Sequence, residues 1–270
     1  SYTGWYYSDR SNKIEQVSDQ KTEEMFSKTA EIENNSYVII EENFSDNLPS
    51  STRNDEKKVK ELNSKIDVLS SKYIENYASM KKIILKLESY FELSKNEGSK
   101  EKIKRARKRK KLLAREKIDL LIDKNKPRVE LMSLAGLRHE GGFGAGGTTV
   151  VVLGYVSGVL CLINANVATR KAGAIDYATS LKNLRLSQIA SENKLLTINL
   201  VESGGANLPD QDRVFNNYGK FFMEMSQRSK EGVPSISVVF GNATSGGAYV
   251  PGLSDYTIMQ KNNAKVFLAG

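Results

Sequence analysis

Two glycine-rich turns carry the residues of this sequence that could do chemistry. Each reads Ser-Gly-Gly-Ala, at Ser203–Ala206 and Ser245–Ala248, and each follows an apolar run rich in β-branched residues. Such runs, Leu195–Val201 and Ser235–Phe240, are typical of buried strands. Glycine lets the backbone approach a ligand closely, and free N–H groups at a helix start donate to anions. Side by side, the turns would stabilise a developing oxyanion through the amides of Gly204, Gly205, Ala206, Gly246, Gly247 and Ala248.

Each turn taken alone is also compatible with a plainer use, in which glycine simply lets a helix pack closely on a strand. The surrounding pattern says which elements would position the turns. Strands and helices alternate, which predicts an α/β fold with right-handed crossovers. The further strands are predicted at Thr148–Leu153, Val159–Asn164, Tyr256–Met259 and Lys265–Leu268, and the helices at Ala178–Asn193 and Asp210–Gln227.

The first third of the chain is different in composition. Residues 1–54 are polar and mixed, and we expect them to be disordered or loosely attached. Residues 55–97 carry apolar side chains at intervals of three and four, which predicts a long amphipathic helix. Two interpretations are open: the helix packs on its own domain or bends into a hairpin, or it recruits a partner helix as a coiled coil. We favour the first interpretation because the steps from Leu69 to Tyr77 break a strict heptad.

Charge and composition narrow the function classes. The net charge of +8 on 270 residues comes from one segment, Lys100–Lys117, because the rest of the chain is nearly neutral. One cysteine and one histidine argue against a disulfide framework and a structural zinc site, so we predict no metal. The sequence has no apolar run long enough to predict a membrane-spanning helix. The chain begins without Met or an apolar leader, so we expect a fragment or a processed protein.

Three motifs together resemble one known family. They are Val201–Phe215 (VESGGANLPDQDRVF), Val238–Tyr256 (VVFGNATSGGAYVPGLSDY) and the basic run that continues into Leu112–Asp119. This pattern resembles the carboxyltransferase (beta) subunit of biotin-dependent acyl-CoA carboxylases of the methylcrotonyl-CoA and propionyl-CoA carboxylase type. The resemblance covers residues 98–270. It implies a crotonase-like ββα superhelix that forms the N-terminal lobe, with the C-terminal lobe absent.

The resemblance also implies an activity. A carboxyl group would move from carboxybiotin to a short or branched acyl-CoA through an enolate held by backbone amides, with no metal and with the proton taken by biotin. The implied partners are acyl-CoA, a biotin carboxylase or biotin carrier subunit, and further copies of the chain, in the mitochondrial matrix of a eukaryote or otherwise the cytoplasm. The implied substrate-binding residues are Asn164, Ala165, Asn166, Arg170, Lys171, Gly173, Ser203, Tyr249, Val250 and Pro251.

Alternatives stay open at this point. The basic segment Lys100–Lys117 fits a cationic wall near the coenzyme A phosphates, but such a run could also bind nucleic acid. We favour the first, because Leu112, Leu113 and Ile118 are spaced to dock on a core. The lobe as a whole could instead be a structural or regulatory remnant, or a decarboxylase of malonyl-type thioesters. We expect that one such lobe binds acyl-CoA but does not complete carboxyl transfer alone.

Overall fold

The computed structural model describes residues 64–268. The prediction of disorder for residues 1–54 therefore lies outside the described residues, as does the start of the helix predicted for residues 55–97. The chain divides into two units, and every helix and strand named below belongs to the second, which begins at Lys65. None of the helices within the described range is both long and apolar enough to cross a bilayer.

Within residues 64–268, three helices precede the sheet. Helix α1 spans Ser71–Ser94, α2 spans Lys100–Lys108 and α3 spans Ala114–Leu121. The predicted helix was too long at its start, because residues 65–70 form a turn and extended chain and Ser70 is the N-cap. The Ser70 Oγ accepts a hydrogen bond from the amide of Tyr73 at 3.3 Å, which satisfies one of the free donors of the first turn.

Most of α1 is exposed. The helix is tied to the rest of the domain at its last turn, where the Arg138 guanidinium lies 5.9 Å from the centroid of the Tyr90 ring. In that turn the Ser94 carbonyl accepts a hydrogen bond of 3.1 Å from Arg115. The earlier apolar side chains of α1 are largely open to solvent. The interpretation that α1 packs on its own domain is therefore wrong for the described residues.

Seven strands form one mixed sheet. The order is β1-β2-β3-β4-β5-β6, and β7 also pairs with β5. Pairs β1/β2 and β2/β3 are antiparallel, whereas β3, β4, β5 and β6 are parallel. The strands are β1 Val129–Leu131, β2 Thr149–Val156, β3 Val159–Asn166, β4 Leu196–Ser203, β5 Ser235–Thr244, β6 Tyr256–Met259 and β7 Lys265–Phe267.

Helices connect the parallel strands. Helix α4 (Tyr177–Glu192) joins β3 to β4, α5 (Gln211–Lys230) joins β4 to β5, and α6 (Gly246–Leu253) joins β5 to β6. Parallel neighbours require such crossovers. The predicted α/β class and its strand and helix positions are confirmed, and β1 is the one strand of the described sheet that the sequence pattern did not indicate.

Both faces of the sheet are covered. Alternate side chains of β2 point to opposite faces, so that Val150 packs toward α3 and Val151 packs toward α4. On the first face Ile118 of α3 is 1% exposed. On the second face α5 contributes Tyr218 and Phe221 to another apolar cluster. The buried sheet therefore fixes the ends of β4 and β5, where the two glycine turns follow.

One lysine lies in this interior. Lys182 of α4 is 2% exposed, and its Nζ donates to the carbonyls of Gly146 at 3.1 Å and Thr149 at 2.6 Å. Burial disfavours the ammonium form and lowers the pKa of Lys182 to about 7. No carboxylate accepts a hydrogen bond from this amine within the described residues.

Candidate active site

The two glycine turns are in direct contact. A Cβ placed on Gly247 would lie 2.8 Å from Ser203 Oγ, and a Cβ on Gly205 would lie 3.1 Å from the Thr244 carbonyl oxygen. Gly205 also has φ +86°, a region that side chains disfavour. The glycines thus let the ends of β4 and β5 meet at backbone distance.

A third segment closes on the first turn. The amide of Gly204 donates to the Ala172 carbonyl at 2.9 Å, and Ser203 Oγ donates to the Gly173 carbonyl at 3.2 Å. A Cβ on Gly173 would lie 2.3 Å from the carbonyl oxygen of Glu202, and the φ of Gly173 is +69°. Ser203 and Gly173 therefore stabilise the turn, and the substrate contacts that the resemblance implies for both stay predictions.

Not every predicted donor is free. Gly204 is bonded to Ala172, the Ala248 amide donates to the Ser245 carbonyl at 2.9 Å, and the Gly205 amide donates to Ser203 Oγ at 3.2 Å. Of the six predicted donors, three have no acceptor within the described residues, namely the amides of Ala206, Gly246 and Gly247. The expected set of six donors therefore reduces to these three.

The two turns reach this state differently. Helix α6 begins at Gly246, so its first amides have no partner inside the helix. Helix α5 begins only at Gln211, after a short 3₁₀ turn. The expectation that the first glycine turn forms a helix N-terminus is therefore wrong. Ser245, just before α6, has φ 51° and ψ −125°, an uncommon conformation for a residue with a side chain.

An apolar cavity of about 290 Å³ opens beside the two turns. Ala206 of the first turn and Gly246 of the second both line it. Two of the three free amides therefore belong to residues at the wall of one cavity. The other lining residues are Ile175, Val214, Phe215, Tyr218, Gly219, Phe222, Ser245 and Tyr249.

Helix α5 forms the far wall of this cavity. Gly219 has open space where a Cβ would lie, so the glycine leaves the cavity wide at this point. Tyr249, a predicted site residue, stacks on Phe222 with ring centroids 5.0 Å apart. The sequence pattern of α5 predicted a helix with apolar residues that face the core. It did not indicate that Phe215, Gly219 and Phe222, on the neighbouring side of the helix, line a cavity.

A second cavity, of about 190 Å³, is cationic. Its lining includes Ala172, whose carbonyl accepts the hydrogen bond from Gly204, and Glu202, which directly precedes the first glycine turn. Helices α2 and α3 and the link between them supply its basic side chains, which are Lys102, Arg105, Arg109, Lys111 and Lys117.

One carboxylate lies within this basic cluster. Glu202 forms an ion pair with Lys117 at 3.0 Å and a second ion pair with Lys111. Burial alone would raise the pKa of Glu202, but Lys117 and Lys111 hold it below its usual range. Two of the five cations are thus paired with this single carboxylate, whereas Lys102, Arg105 and Arg109 have no ion-pair partner within the described residues and stay available for an anion.

The predicted binding segment at the end of β3 is only partly placed as expected. Ala165 is fully buried in the core, and the Asn166 side chain accepts a hydrogen bond from the Glu202 amide at 3.1 Å. The Asn164 Oδ1 is buried with no partner among the described atoms, in a small polar cavity that Ser203 also lines. Asn164 and Ala165 are thus interior residues, whereas Asn166 also lines the basic cavity.

The two cations after this segment differ. The Arg170 guanidinium donates to the carbonyls of Ala145 and Gly147, both at 2.7 Å, and to that of Asn96. Burial lowers the pKa of Arg170. Arg170 thus joins three backbone segments, and its expected phosphate contact stays a prediction. Lys171 is exposed, with its Nζ 5.7 Å from the Phe143 ring centroid, and stays a candidate.

The end of the predicted acyl wall also differs. Val250 packs into the core clusters and Pro251 is buried, so neither lines the apolar cavity. A helix turns successive side chains by 100°, which leaves Tyr249 at the cavity and directs its two successors inward. His, Cys, Asp and Glu side chains form no group of three that could hold a metal within residues 64–268.

Several known proteins are similar to this sequence. Residues 105–270 match the carboxyl transferase domain family. The probable methylcrotonoyl-CoA carboxylase beta chain, mitochondrial, of Drosophila melanogaster is 42% identical over 214 residues, which are 77% of this chain and 37% of the relative. The probable biotin-dependent acyl-coenzyme A carboxylase beta2 subunit of Mycobacterium tuberculosis is 42% identical over 209 residues, 77% of this chain and 39% of the relative. The chain thus spans well under half the length of these relatives.

Solved structures agree with the fold. The beta subunit of geranyl-CoA carboxylase from P. aeruginosa superposes with a TM-score of 0.69 at 38% identity, over 77% of this chain and 40% of that one. The transcarboxylase 12S structure has a TM-score of 0.63 at 21% identity over 69% of this chain and 37% of that one, and it supports the fold alone. Because the family match covers more than half of its residues, the chain belongs to the carboxyl transferase domain family of acyl-CoA carboxylase beta subunits, with the crotonase-like α/β fold.

Proposed function

We propose that this chain is the acyl-CoA-binding half of a biotin-dependent carboxyltransferase. The observation that carries the proposal is that Ala206 and Gly246, each with a free backbone amide, line one apolar cavity. Ala172 and Glu202, which adjoin the first glycine turn, line a separate basic cavity. An acyl-CoA combines an apolar acyl group, a thioester and a polyanionic nucleotide. The apolar cavity, the free amides of the turns and the basic cavity each offer a complementary environment for one of these parts.

The nucleotide end would lie against α2. Lys102, Arg105 and Arg109 carry charges that Glu202 does not neutralise, and charge-assisted bonds from such groups suit phosphates. Lys171 is exposed near the same edge of the first turn and would add a further cation. The basic segment then serves a phosphate group of the substrate.

The thioester would lie between the cavities. Removing a proton from the carbon beside the carbonyl, or from the γ carbon conjugated with it in a methylcrotonyl-type group, places negative charge on the thioester oxygen. Fixed backbone donors stabilise that charge best when it develops. The amides of Ala206, Gly246 and Gly247 are the candidate donors. Loss of one such donor typically costs about 3–4 kcal/mol in the transition state.

The acyl end would occupy the apolar cavity. Its volume of about 290 Å³ and its aromatic walls suit a branched apolar acyl group. The names of the relatives include methylcrotonoyl-CoA and geranyl-CoA, both with branched acyl groups. We infer the same substrate class here.

Carboxybiotin would supply the carboxyl group and biotin would accept the proton. A biotin carboxylase or carrier subunit would deliver the carboxybiotin. We assign none of the described residues to biotin binding. The C-terminal lobe of a second subunit would complete the site, and copies would associate through that lobe. Several relatives are named as mitochondrial, which agrees with a mitochondrial matrix location if the source is eukaryotic.

Calorimetry with CoA and with 3-methylcrotonyl-CoA tests the proposal. We expect both to bind, the acyl form more tightly, and a Lys102→Gln/Arg105→Gln variant to weaken both by about tenfold through lost phosphate contacts. The matched control is Lys104→Gln/Lys108→Gln, which changes the same helix outside the cavity lining and should bind normally. Absence of binding by the folded chain, or equal losses in both variants, would refute the assignment.

A further inference from the structure

Helix α1 carries an apolar seam that the proposed function does not use. Five of its side chains follow one another at steps of three, four, three and four, which is the a and d pattern of a coiled coil. The step that broke the heptad involves Leu69, which lies before the helix. The exposed fractions are 59% for Tyr77, 56% for Met80, 46% for Ile84, 42% for Leu87 and 40% for Phe91.

The residues that flank the seam specify a partner. With Tyr77 at an a position, Lys81 and Glu88 occupy e positions, and Ile83 and Tyr90 occupy g positions. Residues at e and g face the partner helix and set the orientation of a pair. One edge of the seam is therefore charged with both signs, and the other edge is apolar.

We propose that α1 associates with α1 of a second copy of this chain as an antiparallel helix pair. In such a pair e positions face e positions and g positions face g positions. With Ile84 opposite Leu87 of the second copy, Lys81 faces Glu88 on both sides. Ile83 then faces Tyr90 on both sides, so each edge meets its complement.

A parallel pair does not match in this way. There, g residues face e residues of the next heptad, which sets the apolar Ile83 against the carboxylate of Glu88. The antiparallel arrangement also suits the placement of α1, which is tied to its domain at its last turn. A helix of 24 residues is about 36 Å long, so antiparallel pairing holds the two domains at opposite ends.

This association goes beyond the proposed function, because it leaves both cavities of the candidate active site untouched. The seam is short, at about two and a half heptads. Isolated helices of this length are marginal, so we expect a reversible dimer with a dissociation constant in the micromolar range.

Charge reversal on the full 270-residue chain tests the pairing by sedimentation equilibrium. Lys81→Glu and Glu88→Lys each turn two attractions into two repulsions, and each should weaken the dimer roughly tenfold. The double variant restores both pairs and should recover the original affinity. Lys82→Glu is the control, because its f position faces away from the partner. All of these side chains are exposed, so the variants should fold.

Several results would overturn the proposal. A chain that stays monomeric at every concentration has no such dimer, and a dimer that is insensitive to all the reversals uses another surface. A spin label at Glu75→Cys separates the two helix orientations, since an antiparallel pair places the labels roughly 30–40 Å apart and a parallel pair roughly 10–20 Å apart. The shorter distance would contradict the inference even if a dimer forms.

Discussion

Gly219 offers a direct test of the acyl cavity. It lies inside helix α5 and lines the apolar cavity, with open space where a side chain would begin. Replacing it by leucine adds four carbon atoms to the space that the acyl group would occupy. If these displace three to four buried CH₂ equivalents, the acyl-CoA loses about 3 kcal/mol of binding, roughly a hundredfold. Binding of CoA alone should not change.

The same substitution should stabilise the helix. Glycine in a helix interior costs roughly 0.5–1 kcal/mol relative to better helix formers, so Gly219→Leu should raise the melting temperature. Weaker acyl binding in a more stable protein cannot result from unfolding. Gly252→Leu is the matched control, because Gly252 is also helical, also has open space and does not line the cavity.

Calorimetry with CoA and 3-methylcrotonyl-CoA on the wild-type chain, Gly219→Leu and Gly252→Leu tests whether the acyl group enters the apolar cavity. The reasoning requires that the difference in affinity between the two ligands shrinks only in Gly219→Leu. If that variant keeps the wild-type preference for the acyl form, the acyl group does not enter this cavity. If CoA and acyl-CoA weaken equally, the substitution acts on the nucleotide end.

Three further predictions concern stability, measured by urea unfolding. Gly173→Ala should lower the free energy of unfolding by several kcal/mol, because its Cβ would lie 2.3 Å from the Glu202 carbonyl oxygen at φ +69°. Gly158→Ala, which has open space at φ +80°, should lower it by only about 1 kcal/mol. Equal losses of stability in the two variants would contradict the steric argument. Ser245→Gly should stabilise the protein by about 1 kcal/mol by relieving φ 51°, and a destabilised variant would show that the side chain matters more. The lowered pKa of Lys182 means that the unfolded chain binds more protons between pH 7 and 10, so stability should rise across that window and rise less in Lys182→Met; parallel pH profiles would refute this.

The fold followed from the sequence because its signals are local. Apolar β-branched runs predicted β4 and β5 within a few residues, and glycine turns predicted their ends. Features that depend on distant segments could not be predicted in this way. Arg170 reads as a free cation in sequence, but the fold gathers carbonyls from residues 96, 145 and 147 around it.

The candidate site shows the same division. Both stripes of α5 are apolar, and only the position of α6 decides that Gly219 faces a cavity. The loss of Gly204 as a donor depends on the carbonyl of Ala172, which no spacing rule connects to it. The start of α1 at the Ser70 cap also decides whether its heptad is strict, and periodicity alone placed that start too early.

The interlocking of the two glycine turns has a kinetic consequence. Gly247 packs closely against Ser203, and Gly205 packs closely against Thr244. The Gly204 amide donates a hydrogen bond to the segment before α4. None of these pieces can move outward without disturbing another, so local opening should release them as one cooperative unit. In native-state hydrogen exchange the amides around both turns should therefore share one opening free energy, although they are distant in sequence. A ligand bound at either turn should then slow exchange at both.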